Sequence, residues 1–260
     1  MSPVLVRVDE RLRLAGCLLA ASDWPEREQS LKAYRPHRLA EHARRALAGQ
    51  RAHPAVAAAS RLEPAQLFAH ALAGDWPAEM AGTAEFAASE AVAQFCVESE
   101  AEWQAARADL ETVLARGDLA AFLAAVFGRL DHALVVYPNL LYPGRQAVAA
   151  QAGDEIVLSQ PPPAAWGASP PWRYSERPDE VLGAVAEGLA RPLFEEAQPD
   201  QAATLALAAA VLFLRQAEGA DAADQYMLME QRARKLPQLS TLVEELEAGK
   251  ILNHEERKER

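Results

Sequence analysis

The residues best placed to do chemistry lie on one short stretch, Glu187-Gly188-Leu189-Ala190-Arg191, with Glu195 one helical turn further on. Glu187 and Arg191 are four apart, the spacing and order that set a carboxylate beside a guanidinium on one helix face. Two neutral imidazoles at that spacing, with a glutamate next to the first, would bind zinc and deprotonate a zinc-bound water. Here the two ligand positions hold Glu187 and Arg191, and the general-base position holds Gly188. A carboxylate can ligate zinc, but a guanidinium stays charged and has no lone pair to donate. Glycine has no side chain to accept a proton. The stretch therefore predicts no metal site and no catalytic residue. It predicts instead a Glu187–Arg191 ion pair, on the face opposite Leu182, Val185, Ala186, Leu189 and Leu193. Its plain reading is a solvated Glu-Arg-Glu ladder, each exposed pair contributing about 0.3–0.5 kcal/mol.

Other chemistry-bearing residues are scattered. Tyr137, Tyr142 and Glu187 could act as acid and base in a hydrolase that uses no zinc. His37 and His42 are five apart, a poor helical alignment, and His53, His70 and His132 are isolated. His254-Glu255-Glu256-Arg257-Lys258 begins like a zinc motif and ends in lysine. Gly-x-Ser-x-Gly, P-loop and Gly-x-Gly-x-x-Gly patterns are absent from the sequence, so no cofactor is expected.

The elements that must position these residues fall into two halves. Val4 to Val8 alternates like a short strand, and Asp9 is a fitting N-cap for a helix reaching Ala21. Helices follow over 37–48, 53–61 and 64–73, with Gly49 and Gly74 as stops, and one long helix is expected over 83–115. A short helix over 119–127 precedes Gly128. The pattern then changes. Ala133 to Tyr137 reads as a strand, and 147–160 reads as a hairpin turning at Ala152-Gly153-Asp154. The loop 161–177 carries Trp166, Trp172 and Tyr174, which favour packing. Helices return over 179–196, 201–215, 221–235 and 238–248. Pro192 either kinks the first of these, crowding the Gly188 carbonyl, or ends it near Arg191. The expectation is an α+β protein: a helical lobe over 1–128 and a sheet-plus-helix lobe over 129–260, acting as one unit.

Composition bounds the function. The chain has 260 residues, 26 Lys+Arg and 37 Asp+Glu, a formal charge of −11 that repels a phosphate backbone. A basic cluster of Arg35, His37, Arg38, Arg44, Arg45 and Arg51 is interrupted by Glu41 and reads as a solvated helix face. Cys17 and Cys96 are the only cysteines, read as two reduced thiols, with a disulfide left open. Charges arrive too early for a signal peptide, and the apolar run from Ala202 to Leu214 is too short to span a bilayer, so a cytoplasmic location is expected. Lysine is confined to positions 32, 235, 250 and 258 while arginine is plentiful, a bias that points to a GC-rich bacterial genome.

The pattern around Val6-Arg7-Val8-Asp9-Glu10-Arg11-Leu12, the His53-Pro54-Ala55-Val56 segment and the order strand, hairpin, helix together resemble an uncharacterised bacterial family of zincin-like metallopeptidases. The resemblance covers most of the chain, though no single piece is specific. It implies a small sheet packed on the helix over 179–196, with an edge strand holding an extended substrate by backbone pairing, placed here at Ile156 to Ser159. It also implies a degenerate motif at Glu187, Gly188 and Arg191, so hydrolysis does not carry over. The expectation is an inactive protein whose cleft, with Tyr137, Tyr142 and Glu195 as lining residues, binds an unknown protein or peptide. Nucleic acid and membrane are not expected partners. The alternatives are the non-zinc hydrolase and a purely helical interaction protein.

Overall fold

A computed structural model describes residues 3–30 and 33–249. The chain forms an α+β structure built around a four-stranded mixed sheet. Its strands are β1 (Leu5–Val6), β3 (Ala133–Pro138), β4 (Val148–Ala152) and β5 (Glu155–Gln160), in the order β1-β3-β5-β4. β1, β3 and β5 are parallel, and β4 runs antiparallel to β5 at one edge. The β4–β5 hairpin closes at Gly153, whose φ of +61° suits a residue without a β-carbon. The β4–β5 hairpin is thus part of a four-stranded sheet and does not stand alone.

The central strands are buried on both faces, as their unbroken Leu-Val-Val and Ile-Val-Leu runs require. Leu134, Val136, Ile156 and Leu158 point into one core, while Val135, Tyr137 and Val157 point into the other. The first core is closed by α9 (Pro178–Ala197) and α10 (Ala202–Ala217). The second is closed by α1 (Glu10–Ala21), α3 (Arg38–Ala46), α4 (Pro54–Ala59) and α5 (Pro64–Ala73). Remaining helices are α2 (Trp24–Gln29), α6 (Thr83–Ala88), α7 (Glu90–Leu114), α8 (Leu119–Phe127), α11 (Ala220–Arg234) and α12 (Leu239–Glu247). α7 serves both cores, burying Phe95 and Trp103 in one and Leu110 and Val113 in the other.

Local signals hold where they are backbone signals. The Asp9 carboxylate accepts the Arg11 amide at 2.7 Å to cap α1, and Gly74 ends α5 in the left-handed conformation. The helix expected over 83–115 is two helices, because Ser89 adopts an extended ψ of 142° and turns its hydroxyl back to the Phe86 carbonyl at 2.7 Å. Only Leu5–Val6 of the expected first strand pairs. The loop over 161–177 is packed: β6 (Ala165–Trp166) pairs with β2 (Tyr34–Arg35), and the Tyr174 hydroxyl donates to the Gln160 carbonyl at 2.7 Å. The tail from His254 to Arg260 lies outside the described residues.

α9 runs unbroken through Pro192 and is held very close to its neighbours. A β-carbon on Gly188 would fall 2.5 Å from Leu158 of β5, and one on Gly183 would fall 2.5 Å from the Tyr226 ring of α11. On its far side α9 meets α10, whose Ala206, Ala208, Ala209 and Ala210 are all fully buried. Replacing Gly183 with alanine should raise helix propensity by about 1 kcal/mol but overpack a rigid ring at a cost of about 1–3 kcal/mol. Gly183→Ala is therefore expected to lower unfolding free energy in urea, and an unchanged or raised midpoint would contradict this packing.

Candidate functional site

α9 and β4 form two walls of a cleft of ≈ 890 Å³. Ala184, Glu187, Gly188, Arg191, Pro192 and Glu195 line it from α9, residues 147–151 from β4 and its approach, and Glu63 and Pro64 from the start of α5. Along β4, Val148 and Ala150 are buried in one core while Ala149 packs against the other. Consecutive residues facing opposite ways can all line one cleft only if it runs along the strand's edge. Among the described residues no strand pairs with β4 on its outer side, so its outer backbone groups have no ladder partner there.

Glu187, Gly188, Arg191 and Glu195 all reach this cleft, but their pairing differs from the sequence expectation. Glu187 does not pair with Arg191. Its carboxylate meets Arg234, at the end of α11, in a two-pronged contact of 2.5 and 2.8 Å. Glu187 keeps only 15% of its side chain exposed, so this charge is partly taken out of water. Arg234 also holds Glu230 at 2.6 Å, and the two carboxylates raise its already high pKa. Arg191 pairs instead with Glu195 at 2.9 Å, with both side chains about half exposed. The first pair is a fork-to-fork contact fixed between two helices, and the second is an ordinary helix-surface pair. Gly188 sits against the Leu158 side chain, which leaves no room for a side chain there without moving Leu158.

Tyr137 and Tyr142 are placed elsewhere. Both are buried in the core on the other side of the sheet from α9, and neither lines the cleft. The non-zinc set of Tyr137, Tyr142 and Glu187 is therefore not brought together, because alternate residues of a strand face opposite sides. The Tyr137 hydroxyl lies by Arg7, Asp9 and Glu155 and is pushed up, mostly by burial. Tyr142 belongs to a buried group with Glu28 and Tyr34, and burial with the Glu28 charge raises both phenols. The strand expected to offer an open edge, Ile156 to Ser159, is interior, flanked by β3 and β4. β4 holds the edge position because the hairpin folds it outward.

Sequence reasoning does not reach Arg234 or Arg145. Glu230 and Arg234 are visible as an i, i+4 pair, yet nothing local indicates that Arg234 also spans to Glu187, 47 residues away. Arg145 lines the cleft at the start of β4 and lies over the rings of Tyr34 (5.6 Å) and Trp166 (5.5 Å). Trp166 remains 47% exposed. The basic cluster on α3 is largely neutralised: Arg38 meets Glu102, and Arg44 and Arg51 meet Glu26. Among the described residues, no group of three or more His, Cys, Asp or Glu side chains could hold a metal ion. No helix among them is long and apolar enough to cross a membrane. Compared with protein-family models, curated proteins and solved structures, the chain matches none.

The approach to β4 is anchored from below. Both Glu28 carboxylate oxygens accept the Gly144 amide at 3.1 Å, and a β-carbon on Gly144 would fall 2.5 Å from the Tyr34 hydroxyl. Burial raises the Glu28 pKa, against the lowering effect of the Gly144 amide. The folded chain thus holds this proton at pH values where the unfolded chain has released it. Glu28 contributes stability below the ordinary carboxylate value of 4.5, and that contribution is lost as pH rises through its higher folded value. In urea titrations across this window, wild type is expected to lose ground against Glu28→Gln as pH rises. A difference that is flat or grows with pH would refute this assignment.

Proposed function

We propose that this protein is a catalytically inactive, zincin-like pseudo-metallopeptidase whose cleft binds an extended segment of a protein or peptide. The observation that carries this reading is the open edge of β4 running beside α9, in a cleft whose zinc-motif positions are chemically spent. Glu187 is occupied by Arg234, Gly188 has no side chain and no space for one, and Arg191 has no lone pair. An extended segment could add to β4 as a further strand, with backbone pairing giving affinity and side-chain contacts giving selectivity. The side chains available to it from α9 are small at Ala184 and Gly188 and charged at Arg191 and Glu195. Small walls let a backbone approach closely. The net charge of −11 favours a protein or peptide over nucleic acid as partner. With the arginine bias, the chain is read as a bacterial cytoplasmic protein.

The binding reading is tested by panning a random displayed peptide library on the intact protein. Selected peptides are expected to bind Ala184→Trp, which fills the cleft, at least about tenfold more weakly. N-methylation is expected to abolish binding at alternate peptide positions only, because every second amide of an added strand points at β4. Equal binding to the variant, tolerance of N-methylation throughout, or no enriched peptide would overturn the reading. The inactive-zincin part has its own readout. Protein made in zinc-supplemented medium and purified without a metal-affinity tag is expected to hold far less than one zinc per chain, and one tightly held equivalent would overturn it.

A further inference from the structure

α1 and α7 both contribute to the second core, and neither lines the cleft. Arg13 of α1 meets Glu100 of α7 at 2.5 Å, and its guanidinium lies 5.3 Å over the Trp103 ring. One turn along α1 from Arg13 is Cys17, and one turn back along α7 from Glu100 is Cys96. Steps of one turn in opposite chain directions from the Arg13–Glu100 contact bring the two thiols into each other's neighbourhood. Both are free, Cys17 fully buried and Cys96 partly exposed. A peroxide can therefore reach Cys96 but not Cys17.

We propose that Cys17 and Cys96 are a reversible dithiol–disulfide pair, oxidised by hydrogen peroxide through Cys96 and strapping α1 to α7. The Cys96 thiolate attacks one peroxide oxygen, the O–O bond breaks, and the departing hydroxide takes up a proton to leave as water. Cys17 then attacks the Cys96 sulfenic sulfur, forming the S–S bond. The Cys17 proton and the sulfenic hydroxyl leave as a second water. Two thiols lose two electrons and one peroxide gains them, and a dithiol reductant reverses the step by exchange. The division of labour matches the surroundings. Beside Cys17 and Arg13 the pKa of the Cys96 thiol is lowered, against burial and the Glu10 and Glu100 charges, whereas the Cys96 neighbour and burial push the Cys17 thiol up. α1 also packs on α5, whose first residues wall the cleft, so the crosslink would stiffen that wall. The proposal does not depend on the cleft reading.

The test exposes the folded full-length protein to hydrogen peroxide, then unfolds it and alkylates the remaining thiols. Wild type is expected to form no disulfide between chains, to lose both alkylatable thiols, to yield one crosslinked peptide joining Cys17 to Cys96, and to recover both thiols with dithiothreitol. Cys17→Ala is expected to accumulate a sulfenic acid on Cys96 that a dimedone probe captures. Cys96→Ala is expected to leave Cys17 unmodified over the same exposure. Wild type that keeps two alkylatable thiols, carries oxygen on Cys96 without the crosslink, or pairs Cys96 between two chains would overturn the proposal. Should either variant fail to fold, the wild-type peptide map decides alone.

Discussion

The structure depends on how closely α9 can be seated between the sheet and the helices behind it. Two glycines make that possible, Gly188 against Leu158 and Gly183 against Tyr226. The buried alanines of α10 do the same on the remaining side. Close-packed interiors have no slack, so a methyl group at either glycine would push α9 away from β5 or from α11. The first core, which holds Leu134, Val136, Ile156 and Leu158 of the sheet, is closed by this one helix and its backing. Pro192 is tolerated inside α9 in that setting, since tertiary packing rather than local preference holds the helix.

The same seating decides what the cleft can offer. A helix drawn down onto Leu158 has no space at residue 188 for a proton-accepting side chain. The neighbouring charges are committed, Glu187 to Arg234 across two helices and Arg191 to Glu195 along one. β4 turns its outer edge to the cleft, and Glu28, gripping the Gly144 amide, fixes the loop that leads into it. These features are the basis of the proposed function, in which the cleft holds an extended chain.

The two cores are joined by more than the sheet. α7 crosses from one to the other, and its contact with α1 sets a buried thiol against a partly exposed one. The Arg13–Glu100 pair and the Arg13–Trp103 stacking hold that crossing one turn from the cysteines. A bond at this point would act on the lobe carrying α5, and through it on a wall of the cleft.

Features carried by the local backbone were legible in the sequence. Asp9, Gly74 and the 147–160 hairpin are caps and turns whose residues act within a few positions of themselves. So was the α+β class, because the continuous apolar runs of β3 and β5 differ in kind from the helical spacing around them. Pairings across the chain were not. Periodicity gives Arg191 as the neighbour of Glu187, but a carboxylate takes the partner that approaches best, and Arg234 arrives from another helix with both guanidinium nitrogens. Tyr137 looked like a cleft residue until strand alternation sent it to the opposite core, and the open edge moved from β5 to β4 once the strand order was known. Composition and short-range spacing determined which elements form. Only the packing of α9 on the sheet decided which groups meet, because contacts between distant segments depend on strand order and helix seating, which no local pattern encodes.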